Sequence, residues 1–284
     1  MQYPRAAFVA TDRPLRVIDL LDASFGALRY KPRVIFFSIL WIVVPMALLE
    51  GWLSRGVLGG GSLLEILNDP TLAQEASESQ GFSTTAYTYA LDWTRISLIG
   101  VSVAYLINAW GEGRDPSVQD VMRFTVNRIP IWAATFIAAK LAIGVGLILV
   151  IPGVALALAF ALLSPLIAIE QQGPFASLKR AYSLMRLRTS QMIGLYVGCV
   201  IVGLSVSFSL TFIPIIAATF VGTDVAWPLI SVVSILSTSL LAPFNAAAMT
   251  LFYFDLRYRS EGFDLQRRAA QLFPTHTPGE AFVG

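Results

Sequence analysis

The densest run of ionisable side chains in this 284-residue chain is FYFDLRYRSEGFDL, residues 252 to 265. There Asp255, Arg257, Arg259, Glu261 and Asp264 close an apolar stretch that begins near Pro228. On a helix, residues four apart are neighbours, so Asp255 with Arg259 and Arg257 with Glu261 are acid/base pairs. Gly262 stands where such a helix ends in a left-handed cap. Two readings fit these residues. In one, a membrane helix runs a short way into water and stops, its charges solvated. In the other, Asp255 and Glu261 engage Arg257, Arg259 or the basic pair Lys179 and Arg180, and the cluster docks against Glu170. Phe263 and Leu265 favour the docked form, because they let the chain fold back against the membrane surface.

Lys140 is the one charged residue near the middle of an apolar span. On insertion scales its burial costs ~2.5 to 3.5 kcal/mol, so it is expected to face the bundle interior or a path, or else to snorkel. Asn108 and Asn245, near span ends or kinks, read as interhelical hydrogen-bonding residues. No catalytic chemistry is expected. His276 is the only histidine and lies in the tail, so neither a His pair nor a His-rich metal site can be built. Cys199, the only cysteine, sits in an apolar run and reads as a small core residue. No metal and no cofactor is implied.

The elements that position these residues follow from composition. Hydrophobic residues make up 56% of the chain and charged ones 13%, and the mean hydropathy is +0.68. These values define an all-α polytopic membrane protein. A hydrocarbon core of ~30 Å needs roughly 20 apolar residues per helix. Six stretches qualify: 34–53, 93–110, 130–150, 152–169, 191–213 and 228–254. Pro152 and Gly153 break the third from the fourth, which predicts a tight helical hairpin. Pro45, Pro165 and Pro243 fall inside spans and predict kinks.

Seventeen of the twenty Lys and Arg residues fall in segments on one side of these spans; Arg55 and Arg95 fall on the other. The positive-inside rule then predicts that both termini are cytoplasmic. No cleavable signal peptide is expected in the first 33 residues. A net charge of +2 with scattered basic residues points away from nucleic acid. It points instead to the lipid bilayer and anionic headgroups as partners, with a membrane or cytoplasmic protein as a further partner class. Pro14, Pro116 and Pro174 each open an amphipathic stretch, predicting three interfacial helices. Residues 1–268 are thus expected to form one six-helix membrane domain, with 269–284 a cytoplasmic tail. A three-unit repeat of interfacial helix plus hairpin (14–110, 116–169, 174–254) and a chance recurrence of similar segments both fit.

The stretch SPLIAIEQQGPFASLKRAYSLMR, with Pro165, Glu170, Gly173, Ala176, Leu178, Arg180 and Ala181, belongs with the closing run. Together they resemble the bacterial family named for the membrane domain of glycerophosphoryl diester phosphodiesterase. Tyr253, Asp255, Leu256, Arg257, Arg259, Glu261, Gly262, Phe263, Asp264 and Leu265 carry the second half of that likeness. The resemblance implies the membrane module without the hydrolytic barrel, in the bacterial cytoplasmic membrane. The function expected is non-catalytic: an accessory or scaffold in envelope or lipid-related processes. The alternative is a transporter or channel for an anionic or lipid-like substrate, with Lys140 on the path.

Overall fold

The computed structural model describes residues 15–54, 82–221 and 223–260. The expected pairing of Glu261, the cap at Gly262, the fold-back at Phe263 and Leu265, the charge of Asp264, the tail and the loop after Ser54 lie outside the described residues. Every described element is helical. α1 (Val17–Tyr30) and α2 (Pro32–Ser54) are followed by α3 (Phe82–Gly111) and α4 (Val118–Leu147). α5 (Ile151–Phe160) leads to a single turn α6 (Leu163–Pro165), which continues as a π-helical segment, Leu166–Glu170. α7 (Pro174–Met185), α8 (Thr189–Val221) and α9 (Thr223–Ser260) follow. Five helices are long and apolar enough to cross a membrane, and six if the bent pair α5 and α6 counts as one span.

Two expected boundaries move most. The second span begins at Phe82, well before Trp93, because FSTTAYTYALD carries no helix breaker. The stretch after Pro116 is not a separate interfacial helix: it is the first part of α4, which passes through Pro130 without ending. A proline removes one amide and strains the preceding turn. Here the helix is firmly started, since Ser117 and Asp120 cap each other: the Asp120 amide donates to Ser117 Oγ (3.3 Å) and the Ser117 amide to Asp120 Oδ2 (2.9 Å). The second repeat unit therefore lacks its own surface helix. α1 and α7, by contrast, are separate short helices. α1 packs along α8 and α9, with the Phe25 and Phe244 rings 4.5 Å apart. Gly194 and Gly198 make room for it on α8: a Cβ at Gly198 would lie 2.9 Å from Leu21.

The predicted hairpin between α4 and α5 is present. Val150 takes a left-handed φ of 57°, and a Cβ on Gly153 would come within 2.5 Å of the Leu147 amide nitrogen, so only glycine fits where the chain doubles back. The fourth span is broken and not continuous: its halves meet at 41°. Pro165 supplies the cause, having no amide to donate to the carbonyl four residues earlier. The ladder recovers as a π turn, closed by the Gln171 amide donating to the Leu166 carbonyl (3.2 Å).

α3 and α9 form the centre of the bundle. From Leu98 to Trp110 almost every α3 residue is buried, against α2, α4, α6 and α9. Between apolar helices in lipid there is little hydrophobic drive, so close packing and interhelical hydrogen bonds carry association. Ser102 and Thr125 hydroxyls bond at 2.9 Å, and Trp132 Nε1 donates to Ser97 Oγ at 2.9 Å, tying α3 to α4. α8 is peripheral, packed chiefly on α9 and α1.

Candidate functional site

The up-and-down order of the helices brings the end of α3, the start of α4, α7, the start of α8 and the end of α9 to one end of the bundle. This is the basic end. Two knots of charge are built there. Glu170, last residue of the π segment, accepts hydrogen bonds at Oε1 from the Tyr253 hydroxyl (2.8 Å) and from Arg180 Nε (3.3 Å). Asp255, its side chain 1% exposed, accepts from Arg188 Nη1 (2.7 Å) and Arg259 Nε (3.2 Å). Arg128 donates to Gln171 beside them.

The charges of α9 are thus partly buried and paired across helices, but not with all the partners expected. Lys179 and Arg180 play no part in holding Asp255. Arg180 Nε pairs with Glu170 instead, while Lys179 is exposed and makes no ion pair with any described residue. The Asp255 to Arg259 pair forms as the spacing predicts. Arg257 is half-buried one turn beyond Tyr253. The partner that sequence reasoning missed is Arg188, in the turn before α8. Its only signal was that a buried carboxylate needs a second cation.

A second missed cluster joins three helices away from the basic end. Arg95, only 5% exposed, donates through Nη1 to Glu50 Oε2 (3.0 Å) and Ser234 Oγ (3.3 Å), and through Nη2 to Asp92. The sequence suggested a charge outside the membrane; the structure folds it inward between α2, α3 and α9. Asp92 and Arg95 stand three apart, and Glu50 lies late in an apolar span, which was the available signal.

Lys140 is placed differently from all of these. It makes no ion pair with any described residue, and its Nζ lies 4.3 Å over the Trp93 ring. Both residues line a half-open cavity of about 550 Å³ bounded by α3, α4, α5, α6, α8 and α9. The lining is mostly apolar and includes Phe136, Phe160, Leu204 and Met249. Among the described residues no carboxylate lines it, so the Lys140 charge has no counter-ion there. Asn245 adds a polar group whose Oδ1 is buried without a hydrogen-bond partner among the described residues. Cys199 is a buried core residue, as expected, and its position also borders the cavity.

Fold and cavity together define an all-α polytopic membrane protein with a pocket between its membrane-crossing helices. Residues 96–256 match the family described as a domain of unknown function, DUF7847, and the chain belongs to that family. The matched region runs from α3 to Leu256 and takes in the cavity's lysine and both anions of the charge knots. No curated protein and no solved structure matches the chain.

Proposed function

We propose that this chain is a non-catalytic membrane protein that holds a lipid-like molecule between its helices, as a transporter or an accessory of lipid-related processes. One observation carries the reading: an apolar cavity of about 550 Å³, with a lysine at its rim that faces no carboxylate among the described residues. Small-molecule sites are concave, mostly apolar and of roughly 300 to 1,000 Å³, with a few polar groups fixing orientation. The buried amide of Asn245 is one such group, since orphaned polar atoms in a lining are what a ligand's polar atoms satisfy. That favours a ligand-holding role over a purely scaffolding one. The resemblance to the glycerophosphoryl diester phosphodiesterase membrane domain agrees with it, implying a lipid-related module with no hydrolytic barrel.

The test is to extract the protein in its native lipid and compare bound with bulk lipid by mass spectrometry. A lipid species should be enriched in the wild type and lost in Gly203→Phe. Gly203 lines the cavity, and nothing lies within 4 Å of the point where a Cβ would stand, so a side chain can start there without backbone strain and fill cavity space. Equal lipid profiles in the two proteins sink the reading.

The proposal extends to location: the bacterial cytoplasmic membrane, basic end and both termini inside. In a Cys199→Ser background, Glu75→Cys should react with an impermeant thiol reagent from outside and Arg268→Cys should not. The reverse labelling overturns the orientation.

A further inference from the structure

Resting on that ligand-holding reading, we propose that the occupant is a long-chain fatty carboxylate that enters sideways from the bilayer between α8 and the α4–α5 hairpin. Three observations converge. The first is size. The half-open cavity of about 550 Å³ has room for an acyl chain, and its open side lets the rest of a ligand stay in the bilayer.

The second is charge. Among the described residues the lining holds one cation, Lys140, and no carboxylate. A carboxylate carries one negative charge and matches one ammonium. A phosphodiester also carries one charge, whereas a phosphate monoester carries about −1.5 to −2 at neutral pH and leaves charge unbalanced. No described arginine lines the cavity to offer the two-pronged grip that favours phosphate.

The third is access. α8 packs chiefly on α9 and α1, leaving a gap toward α4 and α5. The cavity residues that α8 presents at that gap, Val200 and Leu204, are apolar and exposed. An acyl chain can cross such a rim without leaving a hydrocarbon environment, while its carboxylate is met by Lys140.

The experiment is equilibrium binding to the full chain in discs of phosphatidylcholine, with palmitate as probe and 1-hexadecanol as its uncharged equal in length. Palmitate should bind the wild type about tenfold more tightly than hexadecanol, the worth of one charge-assisted hydrogen bond. Lys140→Met should abolish that preference by weakening palmitate alone, and Lys140→Arg should keep it. Gly203→Phe should remove both ligands, with Val200→Trp as the second plug should the first fail to fold. Equal binding of palmitate and hexadecanol overturns the proposal, as does tighter binding of lysophosphatidate or of two-chain phosphatidate than of palmitate. If palmitate fails while another lipid still co-purifies in a Gly203-dependent way, the fatty carboxylate is wrong and the ligand-holding reading stands. If no lipid co-purifies and neither probe binds, both fall.

Discussion

The basic end and the cavity spend their charges in opposite ways. At the basic end, Glu170 and Asp255 each accept two hydrogen bonds, from Tyr253 and Arg180 and from Arg188 and Arg259. In the cavity, Lys140 faces an aromatic ring and no anion among the described residues. A buried charge with its partners in place holds helices in register, and removing one partner leaves the other stranded. A charge that faces an apolar lining with only a ring for company is a candidate for work on something that arrives. The Arg95 cluster, whose Nη1 and Nη2 are taken by Glu50, Asp92 and Ser234, falls on the structural side of that division despite its position within the bundle.

The contrast breaks first at Asp255. Asp255→Ala strands Arg188 and Arg259, each about one-fifth exposed. Removing one partner of a buried pair costs roughly 3 to 5 kcal/mol, and the partial exposure of the arginines puts this one at about 3 kcal/mol. Thermal unfolding in detergent should show the largest drop of the set, with Glu280→Ala as an unaffected control; equal midpoints would mean that the knot holds nothing. Tyr253→Phe comes next, at about 2 kcal/mol, for losing a hydroxyl that donates to a carboxylate. Arg180→Ala is smaller, at most ~1 kcal/mol, because that side chain is 30% exposed and solvent replaces part of its pairing. Should Arg180→Ala exceed Tyr253→Phe in the same melts, Glu170 depends on the cation more than on the hydroxyl. The smallest effect belongs to the cavity: Asn245→Leu removes an unpartnered buried polar atom and should leave the unliganded protein's midpoint unchanged or slightly raised. A clear loss of stability would mean that Asn245 is a structural residue and the division between the two regions is wrong.

Much of this division was legible in residue order. Apolar runs of membrane length gave the spans, the Pro152 and Gly153 pair gave the hairpin, and the density of charge after Phe254 pointed to Asp255. Lys140 stood out because a lone lysine in a span has no cheap explanation. Three things were hidden, each for a physical reason. Arg188 could not be assigned to Asp255, 67 residues away, without the register between the start of α8 and the end of α9. Arg95 read as an external charge because hydropathy measures composition and not which face turns inward. The fusion of the 118–129 stretch into α4 was hidden behind Pro130, a breaker that a well-capped helix tolerates. The cavity itself is a property of how six helices fail to fill space, and no single segment encodes it.

The π turn at Leu166–Glu170 carries a consequence for how this family can vary. Such a turn holds one residue more than an α turn, and each helical residue advances the direction of a side chain by about 100°. Glu170 reaches Tyr253 only because that extra residue is present. A one-residue deletion between Leu166 and Ile169 would let the segment relax to an ordinary helix and swing the carboxylate about a quarter-turn away, while leaving its sequence neighbours nearly the same. In this turn the number of residues is itself part of the site, and a change of count would act like a substitution of Glu170.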